Sequence, residues 1–593
     1  MARNPLTFLL QQAFAGAVRQ REGIADPSGI NNIPAGPAGD NHPSENNHPS
    51  GDNRSPTGAS GQDHPLVIAH NRRRFLRDSA LAAAGLLLAP ALKAASFVPG
   101  AANLEPGPIV SGIPPSFPGD PASPKVAIVG AGMAGLNAAY QLKRQGITST
   151  VFEASGRVGG RMFTLKDKFG PGITTDIGGE FVDSNHTDIL RLVAELGLEL
   201  YDLKKDTLAN KTFWFEGRLL GEKDLREAIM PYTDRLLKDI HSLPEVISHA
   251  TADSFRALDQ LSILDYLRSI GINGWLFHFL DMVLTREYGM ESAQQSAINF
   301  LIMFEPPAPA EKDYELFGQD HEVYKIKGGS QHLSDKLYEQ LKDQVRLQHR
   351  LLSIDPNRHG GYELHFESEG GPGTVHADHV ILTLPFTILR SLRLNIAMPA
   401  EKRRCIDEIG YGNSCKFIMG VNDKPWRKAG MQGYTFTDLS FGCGWDSSQS
   451  QSEKRGSFTV FGGGRFADWV RQNKKEDLTR KFLPALDTIY KGSSTSYNGL
   501  NTKFCWAGNP YSKAGYSSFK TGQWSTLAGW EGVPVGQVYF AGEHVSREFQ
   551  GYMNGAAQTG RVAAEAVTTH IAGHVSALNT RSPASALIGQ QRT

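Results

Sequence analysis

Between Pro124 and Glu153 the chain carries residues whose types and spacing suit one task, holding a dinucleotide. An apolar run, PKVAIV, ends abruptly at GAGMAG, where Gly130, Gly132 and Gly135 occupy the G-x-G-x-x-G positions. The helix-like LNAAYQLKRQG follows, then a second strand-like run, STVFE, ending in Glu153, 23 residues beyond Gly130. In such a unit the first glycine makes the strand-to-helix turn and the second lets a pyrophosphate approach the backbone. The third allows helix and sheet to pack. The helix N-terminus favours anionic phosphates, and the acid takes ribose hydroxyls. The glycines alone are a weak signal; strand, helix, strand and acid in order make a dinucleotide site the expectation.

Other residues could do chemistry. Lys416, in GNSCKFIMGV, stands inside an otherwise apolar strand, where an ammonium group is costly unless it has a partner. Glu180 and Asp183 place two acids in GGEFVDSN. Four cysteines, none spaced C-x-x-C, indicate neither a disulfide framework, nor zinc, nor a redox pair.

The elements that must position these residues come from a chain of 593 residues, long enough for two or more domains. Its 61 Lys+Arg balance 61 Asp+Glu, which excludes an obligate nucleic-acid binder. With 40% hydrophobic and 21% charged residues, it has the composition of a globular protein with a large core. The first 70 residues, rich in Gly, Pro, Asn, Ser and His from residue 20 onward, read as a disordered leader. Residues 71–95 begin NRRRFLRDSALAAAG. Arg72 and Arg73 precede an apolar run from Ala80 to Ala91 that is too short for a comfortable membrane span. The segment resembles a bacterial twin-arginine export signal, with cleavage near Ala89-Pro90-Ala91 and a periplasmic destination. Residues 96–122 read as a linker and 573–593 as a flexible tail. In SAQQSAINFLIMF, Ala293, Ala297, Phe300 and Leu301 fall at i, i+4, i+7 and i+8, which predicts a helix with one buried face.

After Glu153 the chain reads ASGRVGGRMFT, with Arg157, Gly159, Gly160 and Arg161. This resembles the second signature of the flavin amine oxidase superfamily, in which these residues continue the grip on the FAD phosphates. DIGGEFVDSNHTDILRLVAELGL, with Gly178 and Gly179, resembles the superfamily's next block. YKIKGGSQHL and VRLQHRLLSI resemble the segment whose backbone meets the adenine, with Leu351 at the contacting position, and HVILTLP the strand that returns to the FAD domain. VYFAGEHVSREFQGYMNGAAQTGRVAAEAV resembles the third FAD signature. There Gly542 and Glu543 fall at pyrophosphate and ribityl, and Gly551 to Ala556, including Met553, open a helix under the flavin. The resemblance runs from about residue 124 to 570. It implies a Rossmann-like α/β FAD domain (123–199, 322–399 and 506–572) interleaved with an α+β substrate domain (200–321 and 400–505).

The resemblance also implies a chemistry. Tyr516 and Tyr552 match the paired tyrosines of the monoamine oxidase cage, Lys416 the lysine that holds a water at flavin N5, and Trp506 an aromatic that packs by the flavin. Gly515 stands where monoamine oxidases with covalent flavin carry Cys, so the FAD is expected to be non-covalent. L-amino acid oxidases hold the substrate carboxylate with an arginine in the block where this chain has Glu180 and Asp183. As an anionic patch at the cavity mouth those acids would favour a cation, and hence di- or polyamines; as backbone caps or partners of a local arginine they leave a monoamine substrate equally open. The activity implied is oxidation of a primary or secondary amine to an imine, hydrolysed to an aldehyde, with O2 reduced to H2O2 and no metal. An L-amino acid oxidase on the same fold is the rival, a flavin-binding protein without oxidase activity a more distant one. The expected partners are a small amine, O2, the twin-arginine machinery and a second copy of the chain. His186 and His544 receive no role.

Overall fold

The computed structural model describes residues 124–581 apart from 209–210, 305–322 and 453, together with Phe14 and Ala17. The twin-arginine segment and the linker lie outside the described residues. Within the expected leader, Phe14 and Ala17 are helical and buried, and the Phe14 ring lies 4.8 Å from that of Phe304. At those two positions the expectation of disorder fails, because the fold offers these side chains apolar surface.

Five parallel strands form the central sheet, in the order Val345–Arg346, Ser149–Phe152, Val126–Val129, His379–Leu382 and Val538–Phe540. VAIV, STVF and HVIL are buried at every position, as strands covered on both faces must be. The helix Met133–Arg144 follows the first strand, and the long helix Met553–Arg581 packs against it. That long helix runs past residue 573, where the tail was expected to begin. Beside the parallel sheet stands a four-stranded sheet ordered Gly371–Ala377, Tyr362–Ser368, His349–Pro356 and Arg393–Leu394.

A seven-stranded mixed sheet makes the second layer. Its order is Tyr497–Cys505, Ser414–Val421, Gly456–Gly463, Cys443–Asp446, Thr435–Thr437, Thr212–Phe215 and Arg218–Leu220. A small sheet of Phe181–Val182, Tyr324–Ile326 and Leu200–Asp202 accompanies the two large ones. The helix predicted from Ala293 onward is shorter than its periodicity suggests and spans only Ala297–Leu301. Ser296 caps it by accepting from Ile298 N, while bridges from Gln295 to Lys520 and Ser296 to Ser262 hold the preceding residues extended. Ala293 is exposed, and all five helical residues are buried, so there is no polar face.

Candidate active site

The turn after the first strand is built as its glycines require. Gly130 has φ +106°, a conformation that side chains rarely adopt, and a Cβ there would meet Thr383 Oγ1 at 2.5 Å. A Cβ on Gly135 would lie 1.9 Å from Gly130 O, so helix and turn touch through bare backbone. Around Gly132 the nearest atom to such a Cβ is 4.0 Å away, which leaves the turn open to a ligand. The helix that starts at Met133 has no acid in its first turn and no side-chain cap, so its leading N–H groups remain for an anion.

A cavity of about 560 Å³ begins at this turn. Its wall includes Gly130, Gly132, Glu153, Arg157, Gly159, Gly160, Arg161 and Leu351. Trp506, Gly542, Glu543, Tyr552 and Met553 also line it. Segments hundreds of residues apart thus form one cleft, whose lining fits a flavin dinucleotide. Glu153 is oriented by Ala131 N (2.8 Å), Ser155 N (2.9 Å) and Ser155 Oγ (2.7 Å). Gly135, Gly178 and Gly179 stand behind the wall. A Cβ on Gly178 would strike Arg161 O at 2.0 Å, and Gly179 N donates to that same oxygen at 3.2 Å. Sequence reasoning missed Thr383–Pro385 and Tyr511–Lys513 in the wall. The first group was legible as the end of HVILTLP; nothing in sequence marks the second.

The two signature arginines divide their labour. Arg157 spends its guanidinium on the loop itself, donating to Val158 O, Gly160 O and Met162 O at 2.9, 2.6 and 3.2 Å, and lies over the Phe163 ring. These bonds hold the loop's shape, and the residue also stands in the cleft wall. Arg161 reaches across the cleft to Gly515 O (2.6 Å) and Glu543 Oε1 (2.9 Å). Burial acts to raise the Glu543 pKa, but Arg161 and the Ser517 hydroxyl hold it below the ordinary carboxylate range.

Lys416 departs from expectation. Its Nζ donates to Glu180 Oε2 at 2.6 Å, Asp176 O at 2.8 Å and Gly178 O at 3.1 Å. An ammonium group has three hydrogens, and these three acceptors use them all. In this arrangement Lys416 has no donor left for a water, and it is not part of the cleft wall.

Its partner Glu180 also accepts from Lys325 Nζ at 2.7 Å and from Trp445 Nε1 at 3.2 Å on both oxygens. Glu180 is 1% exposed. Burial acts to raise its pKa, yet the two lysines together bring it below the usual value. Asp183, 2% exposed, lies 3.2 Å from His186 Nε2. Neither acid forms an exposed anionic patch: Glu180 is buried beside lysines from distant segments, and Asp183 beside the nearby His186.

Of the two tyrosines, Tyr552 lines the cleft, and the His186 ring meets it edge-on at 5.0 Å. Tyr516 packs with Trp506 in a small apolar cluster, and its hydroxyl donates to the backbone carbonyls of Arg286 and Glu287. Trp506 Nε1 donates to Ile177 O at 3.1 Å, which fixes the indole plane. His544 is buried against Phe386, and burial lowers its pKa to about 3, so it is neutral.

The buried network yields a stability prediction. Glu180→Gln leaves two ammonium groups without their counter-charge and should lower unfolding free energy by about 3–5 kcal/mol at neutral pH, read from urea unfolding. Because the folded-state pKa of Glu180 is depressed, its contribution is complete above the unfolded carboxylate pKa. The gap between wild type and variant should therefore narrow as pH falls through the folded value.

Comparison with known proteins places this architecture. The cyclohexylamine oxidase from Brevibacterium oxydans IH-35A superimposes with a TM-score of 0.66 at 21% identity, covering 76% of this chain and 99% of the other; the likeness is one of fold. The L-amino-acid oxidase of Sistrurus catenatus edwardsii is 23% identical over 471 residues, 75% of this chain and 86% of the relative. The flavin-containing amine oxidase A of Equus caballus is 24% identical over 472 residues, 74% and 84% respectively. The family model for flavin containing amine oxidoreductases matches residues 133–568, and the chain belongs to that family.

Proposed function

We propose that this flavoenzyme is an exported monoamine oxidase with non-covalent FAD. It would oxidise a primary or secondary amine to an imine that water hydrolyses to an aldehyde, with O2 reduced to H2O2. The observation that carries this reading is the continuity of one cleft from the Gly130–Gly132 turn to Tyr552, Trp506 and Met553. Bound there, FAD supplies the acceptor for the amine's α-hydrogen. The turn and the helix beginning at Met133 would hold its pyrophosphate, Glu153 its ribose, and the Arg161–Glu543 pair its middle. Tyr552, held edge-on by His186, and Trp506 present aromatic surface that orients an apolar amine and excludes water. Such surroundings disfavour the ammonium form and help the substrate shed the proton that must leave before oxidation.

Three features refine the reading. At residue 515 a Cβ would come within 2.6 Å of Ser414 Oγ and 3.1 Å of Gly412 O, so the site does not take a cysteine without rearrangement. This supports a flavin held by contacts alone. The charges of Glu180 and Asp183 are engaged by Lys325, Lys416 and His186, which favours monoamines over di- and polyamines. Export by the twin-arginine route, with that machinery as partner, rests on Arg72, Arg73 and the apolar run after them.

Each part has its measurement. Acid precipitation should leave the yellow colour in the supernatant; colour retained in the pellet refutes non-covalent binding. In a peroxide-coupled assay, kcat/KM for a diamine and its monoamine analogue should agree within about threefold. A free carboxylate gripping the distal ammonium would contribute about 1.5–3 kcal/mol, roughly ten- to a hundredfold. Peroxide from amino acids but from no amine would transfer the assignment to an L-amino acid oxidase. Replacing Arg72 and Arg73 by Lys should abolish export while leaving activity intact, and unchanged export would refute the signal.

A further inference from the structure

Cys415 and Cys505 are 90 positions apart in sequence and directly opposite each other in the seven-stranded sheet. Cys415 is the second residue of the strand Ser414–Val421, and Cys505 the last of its antiparallel neighbour Tyr497–Cys505. Opposed residues on antiparallel strands have Cα atoms about 4.5 or 5.5 Å apart, depending on the pair type. Both spacings fall within the roughly 4.4–6.8 Å that a disulfide bridges. Both cysteines are reduced, Cys415 buried and Cys505 half-buried. We propose that Cys415 and Cys505 form a peroxide-sensitive thiol pair that closes to a cross-strand disulfide beside the flavin cleft.

The two thiols are unequal in a way that assigns their roles. The neighbouring Cys415 thiol, with Lys503 and Arg471 nearby, lowers the Cys505 pKa against the opposing effect of burial. Burial raises the Cys415 pKa well above the ordinary thiol value, and the neighbouring Cys505 sulfur raises it further. Cys505 is therefore the solvent-reachable residue with thiolate character, the attribute that makes a cysteine react with peroxide. Its thiolate attacks one peroxide oxygen; an S–O bond forms, the O–O bond breaks, and hydroxide leaves. The Cys415 sulfur then attacks the resulting sulfenic acid at Cys505. The S–S bond forms as the S–O bond breaks, and the Cys415 proton departs with the leaving oxygen as water. The proton that Cys505 gave up on ionising converts the hydroxide to water, so two thiols are oxidised and one peroxide is reduced to two waters. The other cysteines lack such an arrangement: Cys405 lies in the helix Ala400–Glu408, and Cys443 stands opposite Phe436.

The position gives the bond a consequence. Cys505 immediately precedes Trp506, part of the cleft wall, and Cys415 immediately precedes Lys416 of the buried charge network. The disulfide would tie the strand carrying Lys416 to the strand that delivers Trp506. During turnover the peroxide would come from the enzyme's own reaction, a source that rests on the oxidase reading above; the pair's chemistry itself does not.

The test separates the two. The full-length holoenzyme is treated with hydrogen peroxide, denatured with its free thiols blocked, and mapped without reduction. A dithiothreitol-reversible peptide pair linking Cys415 to Cys505 is expected, with Cys405 and Cys443 still blocked as thiols. In Cys415→Ser, Cys505 should persist as a sulfenic acid that dimedone traps; in Cys505→Ser, Cys415 should remain a thiol. Four intact thiols after peroxide would overturn the proposal. So would sulfinic acid at Cys505 in wild type to the same extent as in Cys415→Ser. A link that forms with added peroxide but not during aerobic amine turnover would uphold the pair and count against the oxidase reading.

Discussion

Glu180 is the constraint on which the two large layers depend. A carboxylate and two ammonium groups removed from water each carry a desolvation penalty of several kcal/mol, repaid only if they neutralise and hydrogen-bond one another. Here the donors come from separate elements. Lys325 lies on the small sheet, in register with Phe181 beside Glu180, while Lys416 and Trp445 come from the seven-stranded sheet. None of these groups can leave its place without stranding another buried charge. The network thereby fixes how the segment after the dinucleotide turn meets the seven-stranded sheet. Asp176 extends it: its backbone oxygen accepts from Lys416, and its carboxylate accepts from Thr164 Oγ1 and Ser330 N. Burial, and after it the Glu180 charge, raises the Asp176 pKa.

The cleft follows a different logic, absence rather than presence. Backbone approaches backbone at the Gly130–Gly135 turn because no Cβ intervenes, and the space left over is the space a pyrophosphate needs. Side chains then tie the walls together: Arg161 binds Glu543, and Trp506 is anchored on Ile177 O. Rigidity comes from these cross-links between distant segments, since orientation of a bound cofactor is what the protein contributes to its chemistry.

The charged network and the thiol pair are adjacent along the same strand. Residues 415 and 416 point to opposite faces of the sheet, because successive side chains alternate along a strand. One face therefore carries a sulfur towards Cys505 and the other an ammonium towards Glu180. A single strand thus brings the thiol pair and a buried ion pair within one residue of each other.

By itself the sequence determined the strands of the parallel sheet and the dinucleotide turn, and its later blocks carried the resemblance to the flavin amine oxidases. Those signals are local: glycine conformations, apolar strands of four residues, an acid at a fixed offset. Hence Gly130, Gly132, Glu153, Leu351, Gly542 and Met553 were all legible and all lie at the cleft. What the sequence could not determine was which buried charges would meet. Glu180 and Asp183 read as an anionic pair because their neighbours in sequence are visible and Lys325, Lys416 and Trp445, far along the chain, are not. Lys416 was legible as a lysine needing a partner, but not as one whose three donors are already used. The cysteines make the same point: no C-x-x-C spacing exists, and only the pairing of two strands sets Cys415 against Cys505. Local motifs survive translation from sequence because their physics acts over a few residues. Charge partners and thiol partners are chosen by strand register and burial, which exist only once the chain has folded.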